Sequence, residues 1–414
     1  MTAQPIISYR PTGEALHGLG RAEFITLMSS ITATIAISID TVLPAFDEIE
    51  DEFGLAQGDT PVSLAITVFL VAMGAGMLIW GPLADRFGRK KMMYTSLALF
   101  ISGALISTLA SSFGLFLVGR VAWGAAAAGP RTISLAITRD AYEGDVMARI
   151  MSLTSAVFLI VPVLAPSLGE VLLQLGSWRL TTAAAVVLGG ASAVWFGRIN
   201  ETLASDDVLP LEFGRVGRAA KAVLGNRTTM FFTVASTAAY GAFFPWLGSS
   251  TQMIGDIYGR PEQFALLFGA NAVLMAITIL VVERLVRRFS TFPVLFAQTL
   301  LIVMVAIIYV VVSNAESGIP SFWVWFALAS TLTAFNSGST PLMQTLSMEP
   351  MGRMAGTASS VTGAVIFIGG ALLGSLIDSV IVDTVTPFGV GFLIYGSISA
   401  IATWLGYAEM RRMR

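Results

Sequence analysis

The sequence predicts an all-α membrane protein with twelve transmembrane helices in two six-helix bundles, and three observations lead to this fold. The 414 residues are 55% hydrophobic and 12% charged, with a mean hydropathy of +0.78, whereas soluble domains carry about 25% charged residues. Apolar stretches of about 20 residues recur, the length that a helix needs to cross a hydrocarbon core of roughly 30 Å. The two halves of the chain also resemble each other. Because lipid offers no hydrogen bonds to the backbone, the apolar stretches are expected to be helical.

The apolar stretches form two groups of six, separated by a stretch of mixed charge. The first six predicted spans cover 22–46, 60–83, 92–111, 114–138, 148–175 and 179–197. The second six cover 229–255, 262–285, 291–313, 319–346, 354–381 and 386–408. The stretch between the groups contains Pro210 and charged residues that include Glu201, Asp206, Asp207, Glu212, Arg215, Arg218 and Lys221. We therefore expect an N-terminal bundle at 1–197, a cytoplasmic linker at 198–228 and a C-terminal bundle at 229–414.

The distribution of Lys and Arg predicts the orientation, because these residues are concentrated in cytoplasmic loops. If both termini are inside, almost all Lys and Arg residues from Arg10 to Arg414 face the cytoplasm, and only Arg179 and Arg260 lie outside. The first outer loop is instead rich in acids: Asp47, Glu48, Glu50, Asp51, Glu52 and Asp59. The segment before the first span does not resemble a cleavable signal peptide, so this span is expected to remain as an anchor. We expect a multi-pass protein of a bacterial inner membrane with both termini cytoplasmic.

The two halves repeat similar loops at a similar spacing. Asp85-Arg86-Phe87-Gly88-Arg89 follows the second span, and Glu283-Arg284-Leu285-Val286-Arg287 follows the eighth, 198 positions later. Arg149 opens the fifth span and Arg353 opens the eleventh, 204 positions later. Such degenerate halves are typical of transporters and favour a central cavity between two bundles.

Composition also argues against several classes of function. The absence of Cys removes thiolate nucleophiles, disulfides and Cys-based metal sites, and the single histidine, His17, is expected at the surface without a functional role. A net charge of −2 and the lack of a basic stripe argue against nucleic-acid binding. No phosphate-binding Gly-x4-Gly-Lys-Ser/Thr loop is present, so ATP is not expected as the energy source. We expect no cofactor, no metal and no enzymatic activity.

The strongest local motif is the loop between the second and third spans, Gly81-Pro82-Leu83-Ala84-Asp85-Arg86-Phe87-Gly88-Arg89-Lys90-Lys91. An acid at a helix end can meet the positive N-terminus of a neighbouring helix or a nearby Arg, and glycines permit close approach. The motif therefore predicts a conformational latch involving Gly81, Asp85, Arg86, Gly88 and Arg89. The alternative for Arg89, Lys90 and Lys91 is that they only fix the topology.

This loop resembles the signature of the major facilitator superfamily. Three further segments resemble the Bcr/CflA group of drug:proton antiporters, namely Ser38-Ile39-Asp40-Thr41-Val42-Leu43-Pro44-Ala45, Arg139-Asp140-Ala141-Tyr142 and Met354-Ala355-Gly356-Thr357-Ala358-Ser359-Ser360. The resemblance extends over nearly the whole chain and adds Arg139 and Asp140 to the latch. It implies proton-driven export of hydrophobic drugs. We expect the partners to be a small-molecule substrate, protons and membrane lipids, and we expect a monomer.

Asp40 and Arg120 are the candidate proton-coupling residues. Asp40 is an acid well inside an apolar span, where a carboxylate is costly and usually functional; the alternative is an outer-end residue that meets water, since Asp40 lies roughly 27 Å along a helix from Arg21. Arg120-Val121-Ala122-Trp123-Gly124 resembles the superfamily's motif in span four. The resemblance pairs Arg120 with Asp40, so that protonation of the acid releases the Arg. The alternative is that Arg120 hydrogen-bonds backbone carbonyls.

Candidate substrate-binding residues lie in spans four, seven and ten. Arg131 returns to within about 20° of the Arg120 face, roughly 16 Å nearer the cytoplasm, where it either binds an anionic substrate group or extends to the inner surface. Tyr240, Phe243 and Trp246, together with Asn336, suit a cavity for apolar cations. The alternative for these side chains is packing or contact with lipid.

Span five contains the predicted hinge, Pro162, Pro166 and Gly169. The segment Ala165-Pro166-Ser167-Leu168-Gly169-Glu170 resembles the antiporter motif of glycines around a proline, but two expected glycines are missing. Glu170 is expected to be solvated near the outer end rather than to be a second proton site. The acids of the second half are all expected at span ends: Asp256, Glu283, Glu316, Glu349 and Asp378. Coupling is therefore expected in the first half.

Two other functions stay open from the sequence. One is a proton symporter or uniporter for a metabolite or organic anion, which Arg131 favours. The other is a membrane sensor that binds a solute without moving it.

Overall fold

The computed structural model describes residues 13–55, 62–204, 208 and 213–413. Several residues used in the sequence predictions lie outside this set: Arg10, Asp59, Asp206, Asp207, Pro210, Glu212 and Arg414. The side chains of Pro162, Arg215 and Arg353 are also outside it.

The described residues form fifteen α-helices. The N-terminal half contains α1 (Glu14–His17), α2 (Arg21–Asp40), α3 (Phe46–Phe53), α4 (Leu64–Phe87), α5 (Arg89–Thr108), α6 (Phe113–Ala141), α7 (Gly144–Leu175) and α8 (Arg179–Phe196). The C-terminal half contains α9 (Phe213–Gly225), α10 (Arg227–Thr251), α11 (Phe264–Phe289), α12 (Thr291–Ala315), α13 (Phe322–Met348), α14 (Ala355–Asp378) and α15 (Thr386–Met413). All but α1, α3 and α9 are long, and the long helices match the twelve predicted spans in order.

The long helices form the predicted two-bundle membrane fold. Taken singly, nine segments of the described chain are long and apolar enough to cross a membrane, and α5, α7 and α13 pack among them to complete the two bundles. The predicted fold class is therefore confirmed. The observed helices extend beyond several predicted ends, because amphipathic turns such as residues 284–289 continue the helix past the apolar core of the span.

The two halves of the chain meet along two pairs of helices, α4 with α14 and α7 with α11. Between α4 and α14 the contact is close, since a Cβ added at Gly74 would lie 2.8 Å from the side chain of Ile368. Within the N-terminal bundle, Gly124 similarly lets α6 approach α4, because a Cβ there would lie 2.3 Å from the carbonyl oxygen of Phe69.

The opposite ends of the bundles carry opposite charge. We call the end that holds the α4–α5 loop the basic face, because Arg86, Arg89, Lys90 and Lys91 are there. We call the other end the acidic face, because α3 presents Asp47, Glu48, Glu50, Asp51 and Glu52 there. Helix α9, in the predicted linker region, packs its Ala219 and Val223 against Ala358 and Val361 of α14.

The prediction that His17 lies at the surface is wrong. His17 is buried, its ring stacks on Phe24 with centroids 4.2 Å apart, and its Nε2 lies 2.9 Å from the hydroxyl of Tyr142. The backbone N–H of Leu19 donates to its Nδ1 at 3.2 Å. His17 therefore attaches the N-terminal segment to the end of α6, and burial lowers the pKa of its imidazole while Glu14 partly opposes that shift.

Candidate functional site

Asp40 is the last residue of α2, where the helix gives way to a short 3-10 turn, Leu43–Ala45. Pro44 stands in that turn and cannot continue the helical hydrogen-bond ladder. The side chain is 4% exposed, and within the described residues its carboxylate has no hydrogen-bond or ion-pair partner. A buried carboxylate without a cation is costly in the charged form, so the position is suited to holding a proton.

Arg120 is fully buried on α6 and binds the backbone of two neighbouring helices. Its Nη1 donates to the carbonyl of Ser38 at 3.1 Å, and its Nε donates to the carbonyl of Ala65 at 3.2 Å. The guanidinium also lies over Phe69 and Trp123, 4.5 and 5.0 Å from the ring centroids. Its Nη2 has no partner among the described residues.

The predicted ion pair between Asp40 and Arg120 is not formed in this structure, and the alternative of backbone hydrogen bonds is observed instead. The last four carbonyls of a helix lack intrahelical partners, and Ser38 is among the last residues of α2. The Ser38 carbonyl, two residues before Asp40, is therefore free to accept a hydrogen bond. It accepts an N–H of the Arg120 guanidinium, which was expected to pair with the Asp40 carboxylate.

A second buried carboxylate lies in the C-terminal bundle. Asp378 was expected at the end of a span, and it is the last residue of α14. Its side chain is nevertheless buried, with the residue only 7% exposed. The hydroxyl of Ser249 on α10 donates to Asp378 Oδ1 at 2.5 Å. Gly248 permits this approach, because a Cβ there would lie 2.6 Å from Oδ2. Sequence reasoning missed the burial, although the small residues of Gly248-Ser249-Ser250 signal a close helix contact.

The predicted latch is assembled in part on the basic face. Arg89 forms ion pairs with Asp85 and with Asp140, the latter at 3.0 Å between Nε and Oδ2. Gly88 has φ +95° and turns the chain between α4 and α5. Arg86 is exposed, and Gly81 lies on α4 near Thr132. Asp85, Gly88, Arg89 and Asp140 are thus brought together, whereas Gly81 and Arg86 lie apart from them.

Two other residues belong to the surroundings of this cluster. Arg139 donates to the carbonyl of Leu135 at 3.3 Å and lies near Gly356 of the other bundle, where a Cβ would be 3.6 Å from its Nη1. Glu201 accepts the backbone N–H groups of Arg89 and Lys90 at 2.9 and 3.0 Å. Glu201 therefore caps the N-terminus of α5, a role that the sequence did not reveal.

The predicted substrate residues fall into different surroundings. Tyr240 and Phe243 are half-buried on α10, and the Tyr240 ring contacts Phe244 and Phe367 at 5.3 and 5.4 Å. Trp246 is instead fully buried between Phe268 and Phe388, so its side chain belongs to the core, as the packing alternative states. Asn336 is buried on α13, and Arg131 is half-buried on α6 directly after Pro130.

The predicted hinge segment lies in α7, which runs without a break from Gly144 to Leu175. Pro166 and Gly169 are buried. Gly169 allows α7 to approach the end of α2, because a Cβ there would lie 2.4 Å from the carbonyl oxygen of Thr41. Glu170, expected to be solvated, is half-buried and lines a cleft, and its Oε1 accepts the N–H of Ala265 on α11 at 3.1 Å.

The chain is similar to known membrane transporters over most of its length. The family model of the Major Facilitator Superfamily matches residues 28–374. The chain is 28% identical over 395 residues to the bicyclomycin resistance protein homolog of Haemophilus influenzae, covering 91% of this chain and 94% of that protein. It is 26% identical over 310 residues to the multidrug resistance protein MdtM of Escherichia coli O157:H7, covering 73% of each.

The fold is similar to solved transporter structures at low sequence identity. A D-xylose-proton symporter superimposes with a TM-score of 0.73 and 12% identity, covering 93% of this chain and 97% of that one. The human organic anion transporter MFSD10 (TETRAN) superimposes with a TM-score of 0.64 and 14% identity, covering 93% and 99%.

Proposed function

The chain belongs to the major facilitator superfamily, and we propose that it exports hydrophobic drugs or similar small molecules in exchange for protons by alternating access. The observation that carries the proposal is Asp40, a buried carboxylate without a cation partner in the described chain, two residues after the Ser38 carbonyl that accepts from Arg120. The names of two relatives, a bicyclomycin resistance protein homolog and a multidrug resistance protein, support the export of drugs.

The proposed orientation places the basic face in the cytoplasm of a bacterium and the acidic face outside. Loops rich in Lys and Arg stay on the cytoplasmic side, and the cations around Arg89 support this orientation. Asp40 then lies toward the outer end of α2, where protons arrive at higher concentration across an energised inner membrane.

Two states of the Asp40 site account for proton coupling. With a proton on Asp40 the carboxyl is neutral, and Arg120 is held by the carbonyls of Ser38 and Ala65, as observed. When the proton leaves, the buried charge requires a cation. Arg120 can supply it by exchanging the Ser38 carbonyl for the carboxylate. Because such a change moves α6 relative to α2, loss of the proton can bias the bundle toward a different packing.

The energy available from protons is sufficient for export. One charge crossing the membrane gains about 2.3 kcal/mol per 100 mV, and one pH unit adds about 1.4 kcal/mol. Since a hundredfold gradient of a neutral substrate costs about 2.8 kcal/mol, one proton per molecule can maintain it.

The aromatic side chains of the C-terminal bundle indicate the substrate class. Tyr240 and Phe243 are half-buried and continue into the ring cluster of Phe244 and Phe367. Flat apolar surfaces of this kind bind hydrophobic molecules through area burial and bind organic cations through their ring faces. Gln344 donates to the Tyr240 hydroxyl at 3.4 Å and adds a polar group at the edge.

One observation favours a second candidate function. Arg131 is half-buried on α6, the helix of Arg120, and a cation in that position suits a carboxylate or phosphate on the substrate. A proton symporter or uniporter for an organic anion is therefore the alternative.

Efflux from cells that express the chain tests the proposal. The wild type, Asp40→Asn and the exposed control Asp51→Asn are loaded with a panel of lipophilic cations and neutral phenicol drugs, with and without a protonophore. We expect active efflux in the wild type and the control, and its loss in Asp40→Asn or with the protonophore. Efflux that persists in Asp40→Asn would remove that residue from the mechanism.

A further inference from the structure

We propose that Glu170 is the gate residue of the acidic face, holding the two bundles together there while it is ionised and releasing them when it takes a proton. Glu170 lies on α7 of the N-terminal bundle, and its partner, the N–H of Ala265, lies in the first turn of α11 in the C-terminal bundle. The hydrogen bond of 3.1 Å therefore joins the two halves of the chain. This inference rests on the alternating access of the proposed function, but not on a role for Asp40.

The position of Ala265 makes the contact sensitive to charge. The first N–H groups of a helix have no intrahelical partner, so the Ala265 N–H is free to bind a side chain. The N-terminus of a helix also carries a partial positive charge that favours an anion. A hydrogen bond to an ionised carboxylate is roughly twice as strong as a neutral one. A proton on Glu170 therefore weakens the link between the bundles.

The surroundings of Glu170 favour uptake of a proton when the outside becomes acidic. A cleft of about 300 Å³ opens beside it and is lined by Asp47, Glu170 and Glu262, together with Pro44, Gln174 and Thr251. Asp256 lies close enough to interact with Asp47. The described lining includes three acids and no Lys or Arg. Arg260 is nearby, but its guanidinium lies over the Phe322 ring and donates to the side chain of Gln263. Partial burial of Glu170 disfavours its charged form, and the described lining offers no Lys or Arg to offset that cost.

From Glu170, the contact between the bundles continues along α7 and α11. Gly269, one turn further along α11, packs against Val163 of α7, since a Cβ there would lie 3.1 Å from the Val163 carbonyl oxygen. Gly169, next to Glu170, packs against the Thr41 carbonyl beside Asp40. Separation of α11 from α7 at Glu170 would therefore also loosen the contact of Gly269 with Val163. It would alter the packing next to Asp40, the proposed proton site.

Thiol labelling from the outside tests the proposal, and the absence of Cys in the chain gives a clean background. Ala272→Cys is the reporter, because Ala272 is 6% exposed and lies on the Gly269 face of α11, three residues further. Ser177→Cys in the exposed α7–α8 loop is the reference. Its labelling rate corrects for the effect of pH on thiol reactivity, so the measured quantity is the ratio of the two rates with a membrane-impermeant maleimide.

The expected result has three parts. Without a substitution at Glu170, the ratio rises about threefold or more between about pH 8 and about pH 5.5, as expected when a charge-assisted hydrogen bond becomes neutral. In Glu170→Gln the ratio is already high at the higher pH and changes little. Glu262→Gln, which removes a carboxylate of the same cleft, keeps the response of the unsubstituted protein.

Three results would overturn the proposal. The first is a ratio that does not change with pH when Glu170 is intact. The second is a Glu170→Gln ratio that depends on pH as the ratio with Glu170 intact does, and the third is a Glu262→Gln ratio that no longer responds to pH. The first of these needs no Glu170 variant, so the proposal stays testable if Glu170→Gln does not insert into the membrane. Labelling requires neither a drug nor Asp40, so failure of the gate and failure of drug:proton exchange are separate outcomes.

Discussion

The guanidinium of Arg120 donates to the carbonyl oxygen of Ser38 at 3.1 Å, two residues before the carboxylate that it was expected to neutralise. This contact places a buried cation and a buried acid in the same part of the N-terminal bundle without pairing them. In the proposed cycle this is the state with a proton on Asp40, and loss of that proton is expected to move Arg120 toward the carboxylate.

Arg120→Lys should lower both stability and transport. Lysine keeps the charge but cannot reach the carbonyls of Ser38 and Ala65 with the same fork of donors, and loss of hydrogen bonds from a buried charged group costs about 2 kcal/mol or more. Thermal unfolding in detergent should show a lower midpoint than for the wild type. Arg284→Lys, at an exposed position, should leave the midpoint unchanged. A wild-type midpoint for Arg120→Lys would mean that the observed contacts do not stabilise the fold.

Glu201→Ala should destabilise the basic face. Glu201 accepts the N–H groups of Arg89 and Lys90 at the start of α5, and removal of a helix cap costs about 0.5–2 kcal/mol. The matched control is Glu143→Ala, because Glu143 precedes α7 without a capping hydrogen bond from its side chain. Equal unfolding midpoints for the two variants would contradict the capping role.

His17 should make the stability of the protein depend on pH. Burial lowers the pKa of His17 from its ordinary value of 6.5, so the folded protein binds fewer protons at this site than the unfolded chain does. The contribution of His17 is therefore present above about pH 6.5 and is lost as the pH falls through the lower folded-state value. The difference in unfolding midpoint between the wild type and His17→Phe should shrink on acidification. A difference that is constant or grows would show that His17 does not titrate in this way.

Asp378→Asn should keep proton-driven efflux, in contrast to Asp40→Asn. The amide oxygen of Asn can still accept from the Ser249 hydroxyl, and the coupling residues are expected in the first half of the chain. Ser249→Ala should instead lower the unfolding midpoint, since it leaves a buried carboxylate without its hydrogen bond, at a cost of about 1–3 kcal/mol. Loss of proton coupling in Asp378→Asn would move part of the mechanism to the second half.

The fold could be predicted from the sequence because a membrane requires apolar spans of a set length and cations in the loops on one side. Both patterns are visible in short stretches of neighbouring residues. The burial of His17 was missed because it depends on Tyr142, which is 125 positions away. The same holds for the contact of Glu170 with Ala265, 95 positions away, and for the cap that Glu201 provides to α5. These contacts depend on how helices meet, which apolar patterns do not specify.

The candidate site was predicted at the level of residue types but not of contacts. Asp40 and Arg120 stood out because charged residues are rare inside apolar spans. Their partners could not be inferred, because the free carbonyl of Ser38 exists only where α2 ends, and helix ends are uncertain by a few residues in a sequence. Likewise, Trp246 and Tyr240 are both aromatic residues of the same apolar span, so the sequence does not distinguish them. Their packing in the structure does, since Trp246 is buried in the core and Tyr240 is half-buried.

Proton movement in proteoliposomes containing the purified protein tests the central claim most directly. A lipophilic cation that the cells export is added outside vesicles with a pH-sensitive dye in the lumen, for the wild type and Asp40→Asn. We expect the lumen to become more alkaline as the cation enters in exchange for protons, and we expect no such change with Asp40→Asn. Acidification of the lumen, or an equal response in Asp40→Asn, would contradict proton exchange through Asp40.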